Sequence, residues 1–322
     1  MHFPSPSARV VMPTLATLFV IIGLLLLDVV PADGYWLAIM GLGLVVALIG
    51  AVITRGGGPD LAWLRRRADL RDLAVIIGLY AVVVFGLWLA FAVFTTDIVL
   101  GLFLSYGTAL VLGVAGPVYY TVWMRRRPLA SLGLSLGDWR ATAALAIVFA
   151  GIQFGITLAR VDYPALDVWL PLLAMALPVG LFEAIFFRGF IQNRLEASFG
   201  LVPGIAGAAG LYGLYHVGYG MGVNEIVFLG GLGVVYAVAF RLAGSILVLW
   251  PLLTPMGSLF NEIQRGDIVM PLESMLGFAD LLILMVAALW FARRHERRQA
   301  AKHPTGGGHG APVPAGHGAG PA

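Results

Sequence analysis

Glu183 and His216 are the two residues of this sequence whose types and setting best fit catalysis. Glu183 lies deep in an apolar segment that begins near Val168, and His216 alone among the six histidines lies within such a segment. An ionisable side chain at that depth in a membrane costs a few kcal/mol of insertion free energy and marks a candidate functional site. A carboxylate and an imidazole held together at low dielectric can activate a water molecule, with the glutamate as general base and the histidine tuning or sharing the proton.

The 33-residue spacing between these side chains predicts that they face each other. Its midpoint falls at Phe199 and Gly200, just before Pro203, where turn residues are expected. Because an α-helix rises about 1.5 Å per residue, both side chains would lie roughly 25 Å from that turn in an antiparallel hairpin. A lone histidine on an apolar helix is more often a packing residue, so the functional interpretation depends on this pairing.

The composition indicates a polytopic membrane protein. Hydrophobic residues make up 60% of the chain and charged residues 11%, which is not typical of a soluble domain. The absence of cysteine excludes disulfides, thiolate metal sites and a cysteine nucleophile. The net charge of +3 comes from basic residues in short loops, so we expect a lipid bilayer as partner and no nucleic acid.

Apolar segments of about 20 residues can cross the bilayer as helices. The sequence predicts an all-α membrane bundle with about ten such helices. They cover residues 10–30, 35–53, 73–94, 98–124, 142–158, 168–188 or beyond, 202–217, 226–240, 244–259 and 272–291.

The basic residues predict the orientation. With these ten helices and a cytoplasmic amino terminus, all of the 20 Lys and Arg except Arg160 and Arg265 fall on the cytoplasmic side. Both termini are then cytoplasmic, and the first segment is interpreted as a retained span. We therefore expect an integral membrane protein, in the cell membrane.

The chain divides into four parts on composition. Residues 1–124 form a four-helix scaffold with almost nothing polar inside, and residues 125–141 a basic cytoplasmic interfacial loop on the bilayer surface. Residues 142–292 form the core that carries the candidate chemistry. Residues 293–322 form a basic tail that becomes rich in Gly, Pro, Ala and His, and its composition predicts disorder.

The motifs around Glu183 and His216 resemble those of the CAAX protease and bacteriocin-processing (CPBP, or Abi) family of intramembrane proteases. Glu183-Ala184-x-x-x-Arg188 is similar to the family's E-E-x-x-x-R helix, and Tyr212-x-x-x-His216 is similar to its F-x-x-x-H motif. The resemblance covers under a third of the chain and rests on four or five residues.

The resemblance implies that Glu183 and His216 activate the hydrolytic water while a third motif, H-x-x-x-N, steadies the oxyanion. The corresponding segment here has no histidine, and the best register places Thr254 and Ser258 at those two positions. Their hydroxyls can donate hydrogen bonds to an oxyanion, more weakly than an imidazolium. Since losing one such donor costs about 10²–10³ in rate, reduced or absent hydrolysis is part of the expectation.

Metal is implied by the resemblance alone. Catalytic zinc sites usually have three protein ligands, and the membrane core offers only Glu183, His216 and Asp280. The residues therefore predict water activation with no required cofactor. A divalent metal, if one binds, would be held by Glu183 and His216.

Arg188 lacks an obvious partner. On an α-helix, positions 184 and 188 share a face whereas 183 and 188 do not, so the family's second glutamate would be its natural partner. Ala184 removes that carboxylate. Either Asp280 supplies the missing charge, or Arg188 snorkels to the cytoplasmic interface while Asp280 borders a water-filled cavity.

Three functions remain open on the sequence. The first is an intramembrane endopeptidase that cuts a membrane-associated peptide or protein through Glu183 and His216, aided by Arg188, Thr254 and Ser258. The second is a pseudoprotease that binds such partners without cutting them, which Ala184 and the missing histidine favour. The third is a small-solute or proton-coupled transporter, which buried Glu183 and Asp280 favour and the lack of a detectable inverted repeat disfavours.

Small residues and prolines have structural interpretations. Gly204, Gly207, Gly210 and Gly213 recur in one helix, and a second glycine group follows in the next, as expected where membrane helices approach closely. Pro171 and Pro178 are expected to kink the helix that carries Glu183.

Overall fold

The structure, a computed structural model, describes residues 69–94, 98–135, 165–250 and 272–302. These residues form helices, turns and loops, with no β-strand among them. The all-helical prediction is confirmed for this part of the chain. The predicted helices at residues 10–30, 35–53 and 142–158 lie outside it, as does most of the one at 244–259.

Eight α-helices are numbered here in chain order. They are α1 (Leu70–Trp88), α2 (Ile98–Gly107), α3 (Gly116–Tyr119), α4 (Leu166–Glu183), α5 (Asn193–Phe199), α6 (Leu201–Leu214), α7 (Val223–Ala243) and α8 (Ser274–Lys302). Segments of π-helix join or extend several of them, at Leu89–Val93, Thr108–Ala115, Tyr120–Met124 and Ala184–Gln192. Short 3₁₀ helices lie at Leu129–Leu132, Tyr215–Tyr219 and Ile246–Val248.

Four of the described helical stretches are long and apolar enough to cross a membrane. They are Leu70–Val93, Leu100–Met124, Leu170–Phe199 and Ser274–Lys302. These stretches correspond to four of the predicted spans and support an integral membrane protein. The helix α6 has 14 residues, fewer than the roughly 20 that a full crossing needs, because the chain changes to a 3₁₀ helix at Tyr215.

The stretch Leu170–Phe199 is the centre of the described bundle. Within its most apolar window, 67% of the residues are buried inside the protein, against 22–28% for the other three spans. Phe186, Phe187 and Phe190 in this stretch are fully buried. A helix that is apolar all round packs in a protein interior, whereas the other spans keep an exposed apolar face that suits lipid.

Local sequence explains several helix ends. Asp69 caps α1 by accepting a hydrogen bond from the Arg71 amide at 3.0 Å. The Glu225 side chain accepts from the Gly222 amide at 2.8 Å and so caps the start of α7. Gly244, with φ of 68°, ends α7 in the left-handed conformation that glycine adopts without strain.

Glycines bring α6 and α7 into close contact. A Cβ atom at Gly213 would lie 2.6 Å from the Ile226 carbonyl oxygen and 2.8 Å from Gly230 Cα. One at Gly204 would lie 2.5 Å from the backbone of Glu196 in α5. The prediction that these glycines serve close packing is confirmed at both positions, whereas Gly210 faces open space.

Asp72 in α1 is the centre of a buried ionic cluster. Its carboxylate lies 3.3 Å from Arg125 Nε, 3.2 Å from Arg127 Nη1 and 4.0 Å from Arg194 Nε. Tyr120 also donates its hydroxyl to this carboxylate. Asp72 lies directly before the predicted span 73–94, and its carboxylate compensates basic residues from two other parts of the bundle.

The loop after Tyr120–Met124 packs into the protein. Leu129 and Leu132 are buried, and the Ser131 carbonyl accepts a hydrogen bond from Asn193 Nδ2 at 3.0 Å. Gly133 accepts from the Ile246 amide at 3.1 Å. The backbone polar groups of these residues are satisfied by neighbouring elements, and the position of the loop at the bilayer surface stays a prediction.

The helix α8 continues beyond the predicted span end at Phe291 as far as Lys302. In this extension, Glu296 accepts a hydrogen bond from the Leu129 amide and lies 3.6 Å from Arg293. The ring of His295 packs on Trp123 with centroids 5.0 Å apart. The contacts of Glu296 and His295 attach this extension of α8 to Leu129 and Trp123.

Removing the charge of Asp72 should strongly destabilise the protein. In Asp72→Asn, Arg125, Arg127 and Arg194 lose their shared counter-charge in a buried site, which typically costs about 3–5 kcal/mol. Thermal unfolding in detergent measures this. The matched control is Asp280→Asn, because Asp280 is exposed in α8. Equal melting temperatures for the two variants would contradict the structural role of the cluster.

Two glycines of one helix should respond oppositely to alanine. Gly213→Ala places a methyl group against α7, and overpacking of this kind costs about 1–3 kcal/mol. Gly210→Ala meets nothing within 4 Å and should stabilise the helix by up to about 1 kcal/mol. Melting curves of the two variants compare them, and a Gly213→Ala protein as stable as Gly210→Ala would refute the close approach of α6 and α7.

Candidate functional site

Glu183 is the last residue of α4, and the π-helical segment Ala184–Gln192 follows it directly. All nine residues of that segment are buried. In a π-helix the backbone bonds run from residue i to i+5, so the angular offset between positions differs from that of an α-helix. Short π-helical segments inside α-helices occur frequently at functional sites.

The Glu183 carboxylate is held by two tyrosines of the facing element. Tyr212, near the end of α6, donates its hydroxyl to Oε2 at 3.1 Å, and Tyr215 donates to Oε1. Glu183 is 2% exposed, and both tyrosines are buried. Each carboxylate oxygen therefore has a donor, which a buried charge requires.

Tyr212 joins three of the candidate residues. Its hydroxyl binds Glu183, and the Arg188 guanidinium lies over its ring, with Cζ 4.9 Å from the ring centroid. Its backbone carbonyl lies 2.9 Å from His216 Nδ1. In an α-helix positions 183 and 188 would face apart, whereas the π-helical segment lets both side chains reach the same tyrosine.

The hydrogen bond of His216 indicates its tautomer. A carbonyl oxygen only accepts, so Nδ1 carries the proton and Nε2 of the neutral ring is left as an acceptor. The imidazole packs against Tyr215, with ring centroids 4.1 Å apart, and against Tyr219 at 5.7 Å. An imidazole fixed in this way presents one basic nitrogen in a defined direction.

Glu183 and His216 lie in one buried cluster, linked through Tyr212 and Tyr215. The predicted hairpin is present, with a break at Gly200 between α5 and α6. Among the described residues, no hydrogen bond joins the Glu183 carboxylate to the His216 ring. The two groups therefore cooperate only through the tyrosines or through a molecule bound between them.

Both sequence expectations for Arg188 are wrong. The side chain is completely buried, so it does not snorkel to an interface. Asp280 is exposed on α8 and is not its partner. Within the described part of the chain, Nε, Nη1 and Nη2 of Arg188 have no hydrogen-bond partner. The π-helical turn directs Arg188 inward onto Tyr212, where a cation over an aromatic ring is stabilised electrostatically.

Aromatic side chains surround these groups. Phe187 packs against Tyr212 and Tyr215 with ring centroids 5.3 and 4.6 Å away. Phe182 packs edge-on to Tyr215 at 6.3 Å. Apolar surroundings strengthen hydrogen bonds and charge interactions. The loss of one hydrogen bond to Glu183 should therefore cost more here than at a solvent-exposed site.

Thr254 and Ser258, the predicted oxyanion donors, lie outside the described residues. The segment leading toward them is anchored on α4, since Trp250 Nε1 donates to the Leu177 carbonyl at 2.9 Å. Pro178 adjoins that carbonyl and interrupts the normal backbone pattern of α4. The role of these two hydroxyl groups stays a prediction.

The described side chains do not fit a three-ligand metal site. No group of three or more His, Cys, Asp and Glu residues lies together among the residues that the structure describes. Both Glu183 oxygens accept phenolic hydrogen bonds, and His216 has its Nδ1 bound to a carbonyl. Glu183 and His216 alone fall short of the usual three ligands.

The hydroxyl groups of Tyr212 and Tyr215 were missed by the sequence reasoning. The motif Tyr212-x-x-x-His216 identifies Tyr212 only as an aromatic residue, and it does not include Tyr215. A signal was present, because tyrosine replaces the motif's phenylalanine and carries a hydroxyl that needs a partner when buried. A second tyrosine directly before His216 strengthens that signal.

A comparison with protein-family models gives a match over the segment that carries the site. The family model described as Rce1-like, type II CAAX prenyl endopeptidase Rce1-like, matches residues 165–252. The match confirms the resemblance to the CPBP and CAAX protease family in this segment, and it includes Glu183, Arg188 and His216. It ends before Thr254 and Ser258. No curated protein and no solved structure matches the chain.

Removing either tyrosine hydroxyl should destabilise the protein through Glu183. Hydrogen bonds to charged groups contribute about 1.5–3 kcal/mol, so Tyr212→Phe and Tyr215→Phe should each lower the melting temperature. Tyr119→Phe is the matched control, because Tyr119 is 57% exposed.

A double-mutant cycle assigns this effect to the carboxylate. In a Glu183→Gln background the charge is absent, so the cost of Tyr215→Phe should fall. An unchanged cost in that background would show that the hydroxyl stabilises something other than Glu183.

Proposed function

We propose that this chain, whose residues 165–252 are of the CAAX protease type, is an intramembrane endopeptidase that hydrolyses a peptide bond through Glu183 and His216. The observation that carries the proposal is the Glu183 carboxylate, buried in one cluster with an imidazole whose Nδ1 is bound to the Tyr212 carbonyl. A buried, hydrogen-bonded carboxylate and a fixed imidazole in one low-dielectric cluster suit general acid–base chemistry, with Glu183 as the base.

The proposed reaction needs only groups of this chain. A water molecule bound between Glu183 and His216 attacks the scissile carbonyl carbon and gives a proton to the Glu183 carboxylate, the general base. The C–N bond of the tetrahedral intermediate then breaks, and the proton passes to the leaving nitrogen. The phenols of Tyr212 and Tyr215 hold the carboxylate in place, which removes the need to reorganise the site during the reaction.

The proposed mechanism uses no metal ion. The support for this is the donor set, in which the two acidic oxygens already accept hydrogen bonds and a third ligand is absent among the described residues. Tyrosine hydroxyls instead orient the carboxylate. If another part of the chain supplied a third metal ligand, the cleavage activity would depend on a metal ion.

The proposed substrate is a membrane-associated peptide or protein. Glu183 and Arg188 lie within the span Leu170–Phe199, so a substrate would reach the site from the bilayer or its surface. The matched family is described by its action on prenylated CAAX ends, and a prenylated carboxyl-terminal peptide is one candidate. A leader peptide and a transmembrane segment are two others.

The proposed orientation places both termini in the cytoplasm. Arg125, Arg127 and Arg194, which the sequence assigns to the cytoplasmic side, meet at one buried carboxylate. This meeting supports the placement of the loop after Met124 and the end of the Leu170–Phe199 span at the same membrane face.

A second candidate is a pseudoprotease that binds its partner without cutting it. The specific observation in its favour is that both Glu183 oxygens are occupied by tyrosine hydroxyls, which lowers their availability as a base. Ala184 in place of an acidic residue points the same way.

Cleavage that depends on Glu183 is the expected result for the protease. The wild type and Glu183→Gln are reconstituted in vesicles with a panel of prenylated, leader and transmembrane peptides, and products are read by mass spectrometry. We expect wild-type cleavage of at least one class and a loss of at least about 10²-fold in Glu183→Gln, since removing a general base costs 10²–10⁴-fold.

The matched control is Glu225→Gln. Glu225 is exposed, and its side chain caps the start of α7. Because a glutamine side chain can make the same capping hydrogen bond, this variant should cleave like the wild type. Retained cleavage in EDTA supports the mechanism without metal. Specific binding of a peptide without cleavage, by folded wild type and folded Glu183→Gln alike, would favour the pseudoprotease.

A further inference from the structure

We infer that Arg188 donates hydrogen bonds to the carbonyl oxygen of the scissile peptide bond, and thereby stabilises the oxyanion that forms there. This inference rests on the proposed hydrolysis and assigns the electrophilic half of the same site. It gives the oxyanion role to a guanidinium, in addition to or in place of the hydroxyls expected from Thr254 and Ser258.

The N–H donors of Arg188 have no acceptor among the described residues. The side chain is 0% exposed, and none of its three nitrogen atoms has a hydrogen-bond partner. Buried donors are almost always satisfied, and a buried charge without hydrogen bonds is strongly unfavourable. Such an arrangement is maintained when the missing acceptor belongs to a molecule that binds there.

Arg194, which is also fully buried, differs from Arg188 in having hydrogen-bond partners. Arg194 donates to the Phe190 carbonyl at 3.1 Å and to Thr121 Oγ1 at 2.9 Å. It also lies 4.0 Å from the Asp72 carboxylate. Arg194 is thus held by the protein at several points, as a structural arginine is. Arg188, six residues earlier in the same stretch, lies over the Tyr212 ring and has no hydrogen bond among the described residues.

The position of Arg188 suits a reaction that begins at Glu183. Tyr212 donates its hydroxyl to Glu183 Oε2 and presents its ring face to the Arg188 guanidinium, 4.9 Å from Cζ. One rigid side chain therefore sets the carboxylate and the guanidinium relative to each other. A base for the water and a donor for the carbonyl oxygen are the two groups that acyl hydrolysis requires.

Ala184 explains why this arginine is available. A carboxylate at that position would neutralise the guanidinium and occupy its donors, whereas a methyl group does neither. The carboxylate of Glu183 has its own two donors in Tyr212 and Tyr215. The guanidinium consequently keeps its five N–H donors for an incoming acceptor.

The electron pairs and the proton of the hydrolysis are all accounted for by the water, the base, Arg188 and the leaving nitrogen. As the water oxygen bonds to the carbonyl carbon, the C=O electron pair moves onto oxygen, and the guanidinium N–H groups bind that negative oxygen. The pair returns when the C–N bond breaks, and the leaving nitrogen takes the proton that the water lost to the base. Arg188 stays protonated throughout, as expected for a group that is always charged.

The test replaces the guanidinium and separates kcat from KM. On the peptide that the wild type cleaves, Arg188→Gln should lower kcat by about 10²–10³-fold, which is the usual cost of one lost oxyanion donor. KM should change by less than about threefold, because the interaction forms in the transition state. The control is Arg298→Gln, an exposed arginine near the end of α8, which should leave both constants unchanged.

A second variant guards against loss of folding. Arg188→Lys keeps a positive charge at the site but loses the planar set of donors, so it should fold and retain a rate between those of wild type and Arg188→Gln. Folding is checked by melting temperature for each variant. A kcat within about threefold of wild type in folded Arg188→Gln would overturn the inference, as would unfolding of both variants, which would make Arg188 a structural residue.

The two proposals fail in different ways. Wild-type cleavage that is lost in Glu183→Gln but unaffected by Arg188→Gln keeps the protease and removes the role of Arg188. No wild-type cleavage removes the protease and the role of Arg188 with it. A loss confined to KM would make Arg188 a residue that binds substrate in the ground state, which contradicts an oxyanion donor.

Discussion

A carboxylate buried inside a membrane bundle must find hydrogen-bond donors, and the whole site is organised by how Glu183 finds them. Two phenols from one facing element supply both donors. This requirement sets the register of α4 against α6, because the tyrosines reach the carboxylate only when Glu183 and Tyr212 lie at the same depth. The cost of a buried, unsatisfied charge is what makes that register specific.

Tyr212 transmits this constraint to the other candidate residues. It contacts Glu183 through its hydroxyl, Arg188 through its ring and His216 through its carbonyl. Its own position depends on small residues, since a Cβ atom at Gly233 of α7 would lie 3.0 Å from Tyr212 Cδ1. The geometry of the acid–base groups therefore depends on the close approach of α6 and α7 that the glycines allow.

The two fully buried arginines illustrate how charge is divided between structure and chemistry. Arg194 joins the Asp72 cluster, where opposite charge and neutral acceptors hold it. Arg188 lies in the adjoining π-helical segment with its donors unbound among the described residues. A membrane protein tolerates the free-energy cost of a buried charge without hydrogen bonds where a ligand or a transition state supplies the missing acceptor, as in the electrostatic preorganisation of enzymes.

The sequence by itself determined the membrane class, the helical nature of the described part and the candidates Glu183, Arg188 and His216. Apolar length and one-sided basic loops are properties of local sequence, and an ionisable residue in an apolar run is visible without a structure. Only the tertiary structure decided which groups meet. The π-helical turn after Glu183 changes the face on which Arg188 lies, and no regular α-helical periodicity predicts it. The donors of Glu183 and the exposure of Asp280 likewise depend on contacts between helices, because hydrogen-bond partners distant in sequence are chosen by packing.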